Sequence, residues 1–515
     1  MPAPLFLIGF MAAGKTSVGR ALAQATGRRF VDLDDVIAEG GEPVATLVAR
    51  DEADFRRLEA AALARVIDDA TDNPVIATGG GCAAHGDNLA RMKHAGLVVA
   101  LGVDVADAQQ RAAGGPPRPL LATADVLAAK RAPVYRRAHA VVDTTGKPIG
   151  EVVDAVRHVE AAWERLPFAY RDATFVALGD RTYPVIVHDG AVDKDLVRAY
   201  AGPRTQLITD RNVAAYAGDP EAIAIEPGEA SKSFVVYESL CEQLVARGLD
   251  RGSTVVALGG GVVGDLAGFV AATLYRGIAV VQLPTTLVAM TDAAIGGKTA
   301  VDLPAGKNLV GAFHQPRLVA CGLATLATLP DRERRAGFGE LWKYALLDGP
   351  ELWTLVDACA AWCASGGERP DELREVIQRS IAYKAAIVGR DEREQTGHRA
   401  LLNLGHTVGH AIESASGLHH GEAVALGLVA ACRVSSALLG TPTLEAEVTQ
   451  ALRRCGLPHD LGPYLRDDVL ARVQVDKKRI GDKVRFVVVR EVGRCETAEI
   501  AITELRRILR PDSGA

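Results

Sequence analysis

Long apolar runs are missing from this 515-residue sequence: no stretch approaches the roughly 20 apolar residues that a membrane span needs. A basic leader is missing too. MPAPLFLIGFMAAGKT passes from an apolar run straight into a glycine loop. The expectation is a cytoplasmic protein with no membrane partner. A disulfide framework is also absent. The eight cysteines are scattered, and only Cys359 and Cys363 fall one helical turn apart, with no second Cys or His pair at zinc-site spacing. They read as reduced, mostly buried thiols. Charge of one sign is scarce as well: 58 Lys and Arg against 64 Asp and Glu leave a net charge of −6. That is no basic footprint for nucleic acid. With 48% hydrophobic and 24% charged residues, no internal repeat and no low-complexity linker, the chain is not disordered. Its length suits about three compact units at roughly 100–200 residues each.

The pattern present is α/β. LFLIGF (5–10) reads as a buried strand and Lys15 to Thr26 as a helix. VIATGGG (75–81) and LVVALGV (97–103) read as further strands, which predicts a parallel sheet covered by helices. A helical stretch from Glu151 to Arg165 leads to Leu166–Pro167, the expected boundary. A second alternating pattern follows, with strands in YPVIVHDG, TQLITD, STVVALGGG and IAVVQLPTT. Ligands on such sheets bind at the carboxyl ends of the strands. From about residue 326 to 470 helical patterns dominate, and VRFVVVR (484–490) reads as a late strand. The predicted division is residues 1–166, a P-loop domain; 167–325, a Rossmann-like α/β subdomain; and 326–515, a mainly α-helical subdomain. The two halves carry glycine loops of different spacing, which marks a fusion and not a duplication.

In front, Gly9-Phe-Met-Ala-Ala-Gly14-Lys15-Thr16 fits G-x-x-x-x-G-K-[ST] between a strand and a helix. Such glycines let backbone wrap a phosphate, and the helix N-terminus aims free N–H groups at it. Lys15 can neutralise the β- and γ-phosphates, and the Thr16 hydroxyl can ligate Mg²⁺. FVDLDD (30–35) is expected to place Asp32 and Asp34 on one side of a strand end, one for Mg²⁺ and one for an acceptor hydroxyl. DFRRLE (54–59), the Gly79-Gly80-Gly81 turn, Arg118-Pro-Leu-Leu and Lys130-Arg131-Ala-Pro-Val-Tyr add arginines suited to an anionic acceptor.

Together these residues resemble shikimate kinase over residues 1–165. The resemblance implies a nucleotide loop of Met11, Ala12, Ala13, Gly14, Lys15 and Thr16, with Asp32 near the metal. It implies that Asp34 orients the acceptor hydroxyl and acts as its base. Arg56 and Arg131 then grip the shikimate carboxylate, and Gly80 offers backbone contact. Arg118 reaches the ATP phosphates from a lid; the stretch from Arg118 to Arg131 is shorter than the family's usual lid.

Behind, Leu258-Gly-Gly-Gly-Val-Val-Gly-Asp265 follows a strand and precedes an apolar helix, a turn through which backbone can approach a pyrophosphate. His406 and His410 lie four apart in NLGHTVGHAIE, His420 opens HGE, and Glu340 stands in GFGELWK. Two imidazoles and a carboxylate form a zinc set with an open position; spacing alone does not say which histidines bind. Arg276, Lys298, Lys307, Lys343, Lys384, Arg399, Lys477 and Lys478 supply cations for a phosphorylated, carboxylated substrate.

Long matches resemble 3-dehydroquinate synthase across 170–515: PGEASK, GGGVVGDLAGF, QLPTTLVAMTDAAIGGKTAVDLPAGKN, GAFHQP, LNLGHTVGHAIE and HGEAVALG. The resemblance implies zinc or cobalt on Glu340, His406 and His420, leaving His410 to handle protons. It implies NAD contacts from Asp210, Glu229, Lys232, Gly260, Gly261, Val262, Asp265, Thr285, Thr286, Thr325, Thr328 and Leu329. Substrate contacts map to Arg276, Asp292, Lys298, Lys307, Asn308, Lys343, Lys384, Arg399, Asn403 and Lys477, with Lys478 an equal choice for the last. Lys298 and Arg276 join His410 in catalysis. AMTDAAIGG departs in small residues from the family's wording, which implies tuning.

The implied chemistry is transient oxidation by NAD, β-elimination of phosphate, return of the hydride and closure of a carbocycle. One chain would then phosphorylate shikimate with ATP. It would also convert 3-deoxy-D-arabino-heptulosonate 7-phosphate to 3-dehydroquinate, a non-adjacent step of aromatic amino acid biosynthesis. The resemblance implies a homodimer through the rear half. Competing readings are a polyol dehydrogenase such as a glycerol dehydrogenase, an inosose synthase, or a front half that binds nucleotide only to regulate.

Overall fold

The computed structural model describes residues 3–39, 41–113, 124–473, 479–480 and 483–510. They form two compact units: Met1–Ile186 with Val388–Arg390, and Val187–Ile387 with Asp391–Ala515.

The front unit is a parallel sheet in the order β2-β3-β1-β4-β5. Its strands are β1 (Leu5–Gly9), β2 (Phe30–Asp32), β3 (Val75–Ala77), β4 (Leu97–Gly102) and β5 (Ala140–Asp143). Every residue of β1 and β3 is buried, as expected of strands covered on both faces. The chain places β2 and β3 on one side of β1 and then returns to place β4 and β5 on the other. That reversal opens a crevice at the carboxyl end of β1. A short antiparallel pair, β6 (Thr174–Val176) and β7 (Tyr183–His188), follows.

The rear unit contains a parallel run in the order β14-β11-β10-β8-β9. These strands are β8 (Thr205–Asp210), β9 (Ile223–Ile225), β10 (Thr254–Gly259), β11 (Ala279–Pro284) and β14 (Leu318–Gly322). From β8 the chain moves outward to β9, then crosses back to build β10, β11 and β14 on the other side. The reversal lies between β8 and β10, so the glycines ending β10 stand at the crevice where such sheets bind ligands. An antiparallel hairpin, β12 (Lys298–Leu303) with β13 (Gly306–Phe313), carries Lys298, Lys307 and Asn308. AMTDAAIGG holds a π-helical turn, Ala289–Ala293, that presents Asp292.

The remainder is helical, closed by β15 (Arg479–Ile480), β16 (Lys483–Glu491) and β17 (Arg494–Ala501). Three helices carry the metal-set residues: Asp331–Asp348, His406–Ser416 and His420–Leu439. The last corrects one sequence expectation. It is long and apolar enough to cross a membrane, and 72% of its apolar window is buried inside the fold. A core helix surrounded by protein meets the same compositional test as a span.

Glycines set how closely these helices approach. A Cβ on Gly421 would meet the Ala336 backbone, and one on Gly339 the Gly421 backbone. A Cβ on Gly427 would strike the Gly405 carbonyl, and one on Gly409 would lie 3.0 Å from the Ala423 carbonyl. Backbone therefore touches backbone beside Glu340, His406 and His420, which brings short side chains from three helices together.

Candidate active sites

In the front unit the loop between β1 and the helix Lys15–Thr26 turns through Ala12 (φ 58°) and Gly14 (φ 93°), with Ala13 N donating to Phe10 O at 3.2 Å. Lys15 Nζ donates to the carbonyls of Gly9 (3.0 Å) and Phe10 (2.9 Å), so its charge lies over the loop that includes Met11. Thr16 Oγ1 donates to Asp32 Oδ2 at 2.8 Å, pairing two hard oxygen donors beside the loop.

The strand rationale for Asp32 and Asp34 needs correction. Asp32 ends β2 and caps the helix Leu33–Ala38, accepting the Asp34 N–H at 3.2 Å, while Asp34 is already helical. The helical turn sends Asp34 away from Thr16. Its Oδ1 is buried without a hydrogen-bond partner among the described residues, as is Glu59 Oε1. Both oxygens face the space over Gly79: a Cβ there would lie 3.1 Å from Asp34 Oδ1 and 2.5 Å from Glu59 Oε1. Burial pushes the pKa of both carboxyls up, with Asp32 adding for Asp34.

Arg56 donates to Glu59 Oε2 at 2.7 Å and lies against Gly81, and Arg131 Nη1 is beside Gly80. Two guanidiniums thus flank the glycine turn. Tyr135 donates to the Gly80 carbonyl at 2.5 Å, and burial pushes its phenol up to about 12. Arg118 and the lid length lie outside the described residues.

In the rear unit the candidate NAD residues gather at strand ends. Gly260 caps the helix Gly261–Thr273, which contains Val262 and Asp265. A Cβ on Gly260 would come 3.1 Å from Thr286 Cγ2, so glycine keeps that turn open. Thr285 N donates to the Gly259 carbonyl at 3.0 Å. Lys232, buried, pairs with Asp265 at 2.6 Å and faces Glu229 at 3.8 Å. Asp210 ends β8; Thr325, Thr328 and Leu329 follow β14, where Thr328 Oγ1 meets the Tyr216 hydroxyl at 3.1 Å.

Glu340 is 0% exposed. Its Oε1 faces His420 Nε2 at 3.1 Å and His406 Nε2 at 3.3 Å. His406 Nδ1 donates to the Leu404 carbonyl at 3.0 Å, and His420 Nδ1 to Glu413 Oε2 at 3.0 Å. Both rings thus present Nε2 to one carboxylate oxygen. Desolvation works against the His420 imidazolium, yet Glu340 and Glu413 push its pKa up to about 10. The three histidine rings group closely, with His410 centred 5.1 Å from His406 and 5.7 Å from His420.

Next to this centre Lys343, only 1% exposed, pairs with Glu340 Oε2 at 2.5 Å and lies 3.6 Å from Asp292 Oδ1. Asp292 Oδ1 also accepts from Lys384 (2.8 Å) and Tyr344 (2.9 Å). Burial opposes its charge, but the two ammonium groups hold it far below the usual carboxylate range. Burial in turn lowers Lys384 to about 8.

Lys298 pairs with Glu394, whose Oε1 lies 3.5 Å from Arg399 Nε, and Lys307 pairs with Glu413 at 2.9 Å. Asn308 takes a left-handed φ of 56° and donates its N–H to Asp302 at 2.7 Å. Asn403 ends the turn before Leu404. Arg276 is exposed, with φ 67°, and makes no hydrogen bond or ion pair with this set among the described residues. Lys477 and Lys478 lie outside the described residues.

Sequence reasoning missed Glu59, Tyr135, Tyr216, Tyr344, Glu394 and Glu413. Only Glu59, three residues after Arg56, carried a local signal.

Fold and sites define a class: a P-loop phosphotransferase followed by an α/β enzyme with a two-histidine, one-carboxylate centre among lysines. Residues 11–159 match the family model for shikimate kinase, 222–336 that for the 3-dehydroquinate synthase N-terminal region and 337–479 that for its C-terminal region. The 3-dehydroquinate synthase of Caulobacter vibrioides (strain NA1000 / CB15N) is 44% identical over 344 residues, 62% of this chain and 92% of that protein. A 2-epi-5-epi-valiolone synthase from Streptomyces hygroscopicus subsp. jinggangensis 5008, solved with NAD⁺ and Zn²⁺, is similar at 26% identity and a TM-score of 0.58, covering 64% of this chain and 95% of that one. A 2-deoxy-scyllo-inosose synthase complexed with carbaglucose-6-phosphate, NAD⁺ and Co²⁺ is similar at 26% and 0.57, covering 66% and 99%. The chain belongs to the 3-dehydroquinate synthase family, with a shikimate kinase domain in front. It is a kinase and a lyase.

Proposed function

We propose that the front site transfers the γ-phosphoryl group of ATP to shikimate, and that the rear site releases phosphate from 3-deoxy-D-arabino-heptulosonate 7-phosphate to give 3-dehydroquinate. One observation carries the rear reading: two imidazole Nε2 atoms and a buried carboxylate converge beside the buried lysines 343 and 384. A polyol dehydrogenase has no use for those cations.

In front, Thr16 and Asp32 would hold Mg²⁺, which supplies charge neutralisation at the phosphates. Lys15 swings from its carbonyls to the nucleotide. Arg56 and Arg131 bind the acceptor carboxylate, and Asp34 Oδ1 takes the hydroxyl proton. Glu59 fixes Arg56 in its half-buried place.

In the rear, Glu340, His406 and His420 would hold Zn²⁺ or Co²⁺, and the crevice at Gly260 would hold NAD. When bound, these groups supply Lewis acidity and reversible hydride acceptance. Lys343 and Lys384, steadied by Asp292, receive the substrate's anionic groups, and Lys298, Lys307 and Arg399 close around them. His410 handles protons beside the ligand pair.

A homodimer through the rear unit completes the reading; sedimentation at the mass of one 54.3 kDa chain would contradict it. Purified protein given the heptulosonate phosphate should release phosphate with no net NADH. Steady NADH accumulation with a simple polyol would overturn the assignment.

A further inference from the structure

Glu413 has no part in the chemistry proposed above. It sits two turns along the helix His406–Ser416 from His406, so the two side chains share a face. Its Oε2 accepts from His420 Nδ1 at 3.0 Å, and its Oε1 accepts from Lys307 Nζ at 2.9 Å. One carboxylate therefore joins a candidate metal ligand to a lysine on the substrate hairpin.

We propose that Glu413 is a positioning residue that sets His420 for metal and makes metal affinity depend on whether an anion occupies Lys307. The inference rests on the reading of Glu340, His406 and His420 as metal ligands. An imidazole ring offers either nitrogen, and the hydrogen bond at one decides what the other does. For His406 the partner is the Leu404 carbonyl, neutral and fixed in the backbone. For His420 it is a charged side chain with a second partner. While Lys307 holds one oxygen, part of the carboxylate's charge is spent on the lysine. An anion that takes Lys307 leaves that charge to His420, which makes Nε2 a stronger donor to a cation. Linkage requires the reverse as well: a cation at His420 loosens Lys307 for the anion.

The test uses the full chain stripped of metal and titrated with Co²⁺, followed by its visible absorption, with and without saturating inorganic phosphate. Glu413→Gln keeps the shape and removes the charge; it should weaken Co²⁺ binding about 10–100-fold and alter the spectrum. Lys307→Gln, a change at an exposed side chain, should tighten binding severalfold without phosphate. Phosphate should tighten binding to the wild type by about fivefold or more, and to neither variant. Unchanged affinity and spectrum in Glu413→Gln, weaker binding in Lys307→Gln, or a phosphate effect that persists in Glu413→Gln would each overturn the proposal. A wild type that binds no Co²⁺ would instead sink the metal reading, and the proposal with it.

Discussion

Replacing Asp34 by Asn should lower activity and raise stability together. Asp34 Oδ1 is buried without a hydrogen-bond partner among the described residues and faces the same space as Glu59 Oε1. Burial, then Asp32, raise its pKa, while Lys15 and Arg56 pull it back. A carboxylate so placed is a stronger base than a solvated one. Loss of a positioned base costs about 10²–10⁴ in kcat, or roughly 3–5 kcal/mol. The side chain takes no part in the Lys15 and Thr16 contacts, and its backbone N–H to Asp32 survives in Asn. ATP affinity should therefore change by less than about twofold, within the small range expected where no contact is lost. The stability sign follows from linkage. A folded pKa above the unfolded one contributes stability below the unfolded pKa, and that contribution is lost as pH rises through the folded value. At neutral pH the ionised Asp34 is a cost that Asn lacks. ADP release, calorimetric titration of ATP and thermal melts at neutral pH give all three quantities. A kcat loss under tenfold, or an equal loss of ATP binding, would refute the role.

Other consequences follow from the rear unit. Lys384, lowered by burial to about 8, should bind a substrate anion only when protonated; kcat/KM of the lyase should fall as pH rises through that region, and Lys384→Met should flatten the fall. Gly421→Ala places a methyl group against the Ala336 backbone, so the helices bearing Glu340 and His420 must part; metal affinity should drop at least about tenfold, measurable by chelator competition. A chelator selective for transition metals, used with excess Mg²⁺, should stop phosphate release and leave ADP formation intact. Loss of both activities would mean that the two sites share a metal dependence that the separate donor sets do not provide.

The contiguous features were legible in the sequence. The loop Gly9–Thr16, the glycines after β10 and the strands around them are local patterns, and the structure forms them where the pattern places them. Residues whose meaning comes from convergence were not. Glu413 and Glu59 gain roles only when a helix face meets a histidine or an aspartate from elsewhere in the chain. The spacing of His406, His410 and His420 left the ligand pair open, and all three rings cluster in the structure, with Glu340 Oε1 facing the Nε2 atoms of His406 and His420. The helix contacts through Gly339, Gly409, Gly421 and Gly427 were likewise hidden, since a helical glycine does not say which neighbour it admits. Strand periodicity set Asp34 beside Asp32, but β2 ends at Asp32, two residues before Asp34, which belongs to the following helix.

The most direct test of the whole account is a paired assay on one preparation of the full chain. With ATP, Mg²⁺ and shikimate it should form ADP and 3-phosphoshikimate; with 3-deoxy-D-arabino-heptulosonate 7-phosphate, NAD and a divalent transition metal it should release phosphate and form 3-dehydroquinate with no net NADH. Failure of either reaction in protein that retains both nucleotide sites would contradict the claim that one chain carries two working enzymes.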